Sequence, residues 1–188
     1  MRSILSLGIA MTLAGSGVSA QPVPAQQRFG LAAYLQGAYG GMKRTIQQEA
    51  QRMPAADYGF KPSSMPEVRT YGQVFVHIAE GQFGTCAALR GVTNPHQGER
   101  LEATLKGKDE IVALLAESFA MCDPAFAELT DANALEFVKQ GPGEVARGGV
   151  LAGLLAHGAE MYGIATVYLR AKNIVPATTE QQGRGRGR

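Results

Sequence analysis

Gly91–Gly107, GVTNPHQGERLEATLKG, is a polar link of about 17 residues between two helical stretches. Its length decides the fold. Antiparallel neighbours in a bundle need only a few connecting residues, whereas parallel neighbours need a link as long as the bundle itself. A link of this size can return along the whole bundle and leave its flanking helices side by side in the same direction.

Before the link, Thr70 and Gln73 have the spacing of a capping box, so a helix is expected from there to about Arg90. After it, Ile111, Leu115, Phe119, Cys122, Phe126 and Leu129 form one apolar stripe, which predicts a helix from about Asp109 to Leu129. Further out, a first helix should cover about Gln27 to Met53 and stop at Pro54. Ala55–Arg69 then reads as a Pro-rich connector. A link containing Gly141-Pro142-Gly143 precedes a last helix from about Ala146 to Lys172, with Val150, Leu154, His157, Met161 and Tyr168 on its inward stripe. No stretch shows sustained strand alternation. The expected fold is therefore all-α, a four-helix bundle with a long crossover between helices two and three.

Composition agrees with one domain of that kind. The chain has 188 residues, 45% hydrophobic, with 24 Gly, two Cys and a formal charge of +2. Collagen-like, disulfide-scaffold and multi-span membrane classes are excluded. The net charge includes Arg184, Arg186 and Arg188 at the C-terminal end, so the body is near neutral or slightly acidic, which argues against a nucleic-acid-binding surface on the fold. At the other end, Arg2, the apolar run Ile4–Ala14 and Val18-Ser19-Ala20 have the three parts of a secretory signal peptide, with cleavage expected after Ala20. The run is too short to span a bilayer, and no Cys stands near it to carry a lipid, so no stable membrane anchor is expected. The expected division is 1–20 signal peptide, 21–178 bundle ending near Pro176, and 179–188 disordered Gly/Arg tail, in a periplasmic or secreted protein.

Export changes the reading of the cysteines. Cys86 lies 16 residues after Thr70 and Cys122 lies 14 after Lys108, so parallel helices would bring them to nearly the same height, about 3 Å apart axially. Antiparallel helices would separate them by more than about 10 Å, beyond the reach of a disulfide. On the parallel topology a Cys86–Cys122 bond is expected; otherwise both are buried thiols.

Two of the three histidines, His77 and His157, fall on helices two and four at heights that let the imidazoles converge inside the bundle. Each has a carboxylate three residues on, Glu80 and Glu160. Bundle interiors build metal sites from such spacings, with carboxylates as ligands or as partners of the ligating rings. The alternative is a pair of hydrogen-bonded core histidines. His96, beside Pro95 in the polar link, receives no role, and Tyr34, Tyr39, Tyr71, Tyr162 and Tyr168 line either a ligand pocket or the core.

Met53-Pro54-Ala55-Ala56-Asp57-Tyr58-Gly59-Phe60-Lys61-Pro62, Pro66–Gln73, His77-Ile78-Ala79, Ala156–Gly163 and Tyr168-Leu169-Arg170 together resemble the DinB-like superfamily, especially its exported members. The resemblance implies an up-down-down-up bundle. It also implies a divalent metal, often zinc or nickel, held by one His of helix two and two His four residues apart on helix four, and an activity that transfers or isomerises groups using low-molecular-weight thiols. Carried over, the ligands fall on His77, His157 and Met161, where the third position departs from the family pattern.

A thioether is a soft ligand that suits copper(I) and binds zinc poorly. Three expectations follow. Glu160 or Glu80 replaces the third imidazole and keeps a zinc-type or nickel-type site for a thiol-linked transferase or hydrolase, with Glu160 as the candidate catalytic group. In the second, His77, His157 and Met161 hold copper(I). In the third, the site is degenerate and the bundle serves as a binding or structural module. Non-covalent haem on His77 and Met161 is a weaker fourth. A small-molecule ligand and a homodimer are the expected partners.

Overall fold

The structure, a computed structural model, describes residues 28–186. The expected signal peptide lies outside the described residues. Among those described, the chain is mostly helical. Its elements run α1 (Leu31–Arg52), α2 (Tyr71–Arg90), α3 (Leu101–Thr104), α4 (Lys108–Ala127), strands β1 (Phe137–Gln140) and β2 (Gly143–Ala146), α5 (Arg147–Ala171) and α6 (Ala177–Arg186).

Local chemistry sets most of the boundaries. α1 starts at Leu31 because Asp131, a hundred residues away, accepts the Ala32 N–H at 2.7 Å. It ends where Met53 turns extended before Pro54, as the residue preceding a proline prefers. At the head of α2, the Thr70 hydroxyl accepts from Gln73 N while the Gln73 side chain accepts from Thr70 N. At its foot, Gly91 adopts φ 64°, the left-handed conformation that closes helices cheaply only with glycine.

Contacts between the long helices give their directions. Gly72 faces Ile111, Gln82 accepts the Ser118 hydroxyl at 2.7 Å, and Cys86 is bonded to Cys122, so α2 and α4 ascend together. The disulfide joins Cα atoms 5.1 Å apart. α1 runs against α4: Tyr39 stacks on Phe126 at 3.9 Å, Lys43 pairs with Asp123, and Lys108 reaches the Gln51 carbonyl. α5 follows α1, with Gly148 beside Leu31, Gly158 against Met42 and Thr166 bonded to Glu49. It opposes α2, since His157 meets His77 and Tyr168 meets Tyr71. The core between them is apolar and closed, with Phe75, Phe83, Phe119, Ile46 and Leu151 almost wholly buried. α5 is long and apolar enough to cross a membrane by length and composition; here its inward residues pack on α1 and α2.

Two expectations are corrected. The class is not purely helical, because Phe137–Gln140 and Gly143–Ala146 pair antiparallel around Gly141-Pro142, with Gly141 at φ 57°. Strands of four residues, exposed on both faces, leave no alternation to read. Nor does order end at Pro176, since α6 continues through the segment expected as a tail. Its first N–H, on Ala177, is donated to the buried Glu49 carboxylate at 2.7 Å. Tyr162 and Thr178 share a hydrogen bond at 2.6 Å, and Arg52 pairs with Glu180.

Candidate metal centre

The capping box fixes where α2 begins, and His77 follows in the second turn, with Glu80 three residues on. Opposite them stands α3, a single turn of the crossover. Leu101 anchors it in the core, and Gln73 ties it to α2 by donating to the Glu102 carbonyl at 2.9 Å. The Glu102 side chain thereby reaches the head of α2. Its two oxygens take a forked contact from Arg69, at 2.9 Å to Nε and 3.2 Å to Nη2. The same carboxylate lies 2.9 Å from His77 Nδ1. Arg69 is itself held from α5, where the Tyr168 hydroxyl donates to its carbonyl at 2.8 Å.

His77 Nδ1 also lies 3.1 Å from Arg69 Nη2. A guanidinium only donates, so one ring nitrogen cannot accept from Arg69 and donate to Glu102 together. Donation to Glu102 leaves Nε2 with its lone pair free, which is the arrangement of a metal-ligating histidine oriented by a carboxylate.

The two imidazoles converge. Their centroids are 5.0 Å apart with planes at 72°. Burial lowers the His157 pKa first, and the neighbouring His77 and Arg69 lower it further against the raising influence of Glu160. Its ring is thus biased to the neutral form, which metal coordination requires. Around His77, three donors gather: His77, Glu80 and Glu102 each offer a ligand atom, all within 4.8 Å of one another and all half-buried. Beside His157 a hollow of about 330 Å³ opens, lined by Gly81, Thr85 and Gly153, with Gln140 and Val145 contributed by the hairpin.

The structure brings together His77, Glu80 and His157; Glu160 is exposed on α5 and Met161 is buried. Glu102 and Arg69 were not foreseen as site residues. The one signal for Glu102 was Leu101 and Leu105, an apolar pair at helical spacing inside a polar link. Most of the tyrosines serve the core: Tyr39 and Tyr71 are buried with their hydroxyls on main-chain carbonyls, and Tyr34 is exposed. His96 lies against Phe83, with ring centroids 4.7 Å apart and planes tilted by 59°.

As a test of fit, the donor set is imidazole and carboxylate, which suits zinc, nickel and similar divalent ions and does not suit copper(I). Against it stands Arg69, a fixed cation already satisfying one of the carboxylates.

A model of the DinB superfamily matches residues 41–164. Among solved structures, the chain is similar to a DinB-like protein from Bacillus cereus (TM-score 0.62, 15% identity, 76% of this chain and 93% of that one). It is also similar to a DinB-like protein from Bacillus subtilis (TM-score 0.58, 14% identity, 74% and 92%) and to a conserved protein from Enterococcus faecalis (0.62, 14%, 76% and 97%). No curated protein matches. Likenesses this distant establish the fold alone.

Proposed function

Because the chain belongs to the DinB superfamily, we propose that it is an exported, divalent-metal-binding member with an up-down-down-up bundle and a thiol-linked transferase or hydrolase activity. The observation that carries the reading is the approach of His77 and His157, 5.0 Å between ring centroids, beside the carboxylates of Glu80 and Glu102. His77, His157 and Glu80 would hold the ion, with Glu80 standing in for the third imidazole that Met161 replaces and Glu102 orienting His77 from its other ring nitrogen. Zinc or nickel bound there would supply Lewis acidity and lower the pKa of a bound water or thiol.

The chain's own groups do the rest. Glu102, clamped by Arg69, fixes the His77 ring through Nδ1 and leaves Nε2 to coordinate. His157 stays neutral through its burial. The hollow beside His157 admits a small substrate between α2, α5 and the hairpin, and Thr85 and Gln140 offer it hydrogen bonds. Export is supported by the Cys86–Cys122 bond, a feature of oxidising compartments.

A second reading, favoured by Arg69, is a non-catalytic bundle in which the guanidinium takes the place of the metal and the polar cluster only ties the crossover to α2. Metal analysis of the untagged, exported protein beside His157→Ala separates the two. Near-stoichiometric zinc or nickel that the variant loses supports the metal centre. No metal in either, no cobalt(II) uptake and unchanged melting supports the second reading, and stoichiometric copper would recast the protein as a copper handler.

A further inference from the structure

On the opposite side of the bundle from the histidines, a groove of about 750 Å³ runs between α1 and α4, a size that suits a drug-sized molecule. One wall is the α1 face that carries Arg44, Gln47, Gln51 and Arg52, at spacings that place them on one side of a helix. The floor is apolar, from Val112 and the buried Leu115 of α4. Glu180 of α6 contributes to the lining and is paired with Arg52.

The charges decide what such a groove accepts. Among the described residues the one carboxylate in the lining, Glu180, is neutralised by Arg52. Arg44 makes no hydrogen bond or ion pair among the described residues, so a guanidinium with five donors stands at the groove with nothing to receive them. Just past the groove, at the C-terminal end of α1, the Lys108 ammonium is held by the carbonyls of Gln51 and Met53. The glutamine amides can both donate and accept, and Val112 and Leu115 offer an apolar bed.

We propose that this groove binds a small organic anion with an apolar body, its acid group on Arg44 and its body along Val112 and Leu115. The site shares no residue with the histidine cluster, so it stands whether or not the protein binds metal.

The test uses the full chain and two dyes with the same aromatic body, 8-anilinonaphthalene-1-sulfonate and the uncharged N-phenyl-1-naphthylamine, titrated by fluorescence in low-salt buffer. The anionic dye should bind saturably at one site and more tightly than the neutral one. Arg44→Gln should weaken the anionic dye about tenfold or more, as expected for loss of a charge-assisted hydrogen bond, and leave the neutral dye unchanged. Ala116→Trp, which fills the groove from an exposed helical position, should abolish both. Melting curves check that the variants fold, and added sodium chloride should weaken the anionic dye in the parent but not in Arg44→Gln. Equal affinity for the two dyes, unchanged anionic binding in Arg44→Gln, or binding that survives Ala116→Trp would overturn the proposal.

Discussion

Glu102 Oε1 lies 2.9 Å from His77 Nδ1, across 25 residues of sequence and between two different elements. The contact turns the crossover from a mere connection into a supplier of site chemistry. It also makes the orientation of His77 depend on how α3 is seated, through Leu101 below and Gln73 beside it.

Replacing Glu102 with Gln keeps the shape and removes the charge that orients His77. If metal is bound, affinity should fall about 10- to 100-fold, the usual effect of losing a carboxylate that orients or ligates. Isothermal titration with zinc against the apo protein measures it, and circular dichroism should show an unchanged helical spectrum. Equal affinity would remove Glu102 from the centre.

The Cys86–Cys122 bond closes a loop with a sequence separation of 36 residues. Restricting the unfolded chain that much contributes about 3–4 kcal/mol. Cys86→Ser with Cys122→Ser should therefore lower the melting temperature by roughly 10 °C for a domain of this size. Thermal unfolding with and without reductant checks it: reductant should lower the parent toward the variant and leave the variant unmoved.

Glu49 is fully buried and accepts hydrogen bonds from Ala177 N and the Thr166 hydroxyl. Burial raises its pKa above the usual 4.5, so the folded state holds a proton that the unfolded state has already lost. Folding stability from this group is thus greatest below pH 4.5 and declines as pH rises through the folded pKa. Relative to the parent, Glu49→Gln should gain stability across that rise. Glu49→Ala should lose about 1–3 kcal/mol because the Ala177 N–H is orphaned, with α6 loosened. Urea titrations at several pH values give the comparison.

At Gly72, an added Cβ would come within 2.8 Å of Ile111 Cδ1, 3.0 Å of the Tyr58 ring and 3.3 Å of the Tyr58 carbonyl. The helix gains up to about 1 kcal/mol from Ala, but the crowding against a ring and a backbone costs about 1–3 kcal/mol. Gly72→Ala should destabilise by about 1 kcal/mol in chemical denaturation.

What the chain revealed in advance was what local spacing controls. The Thr70–Gln73 box placed α2, the long link implied parallel α2 and α4 and with it the disulfide, and the heights of His77 and His157 on the second and last long helices implied their meeting. What stayed hidden depends on partners far along the chain. Asp131 caps α1 from a hundred residues away, Glu49 is buried on a polar-looking helix because its acceptors serve Ala177 and Thr166, and Glu102 becomes a site residue only once α3 docks on α2.

The bond between α2 and α4 also makes the intervening crossover a covalent ring, with Glu102 on its circumference. A protease that cuts the exposed stretch around Thr93–Gly98 would open the ring without freeing either piece, since Cys86 and Cys122 still join the two sides. Such a nick would run as one band on a non-reducing gel and as two after reduction, and the nicked protein would keep Glu102 tethered within reach of His77.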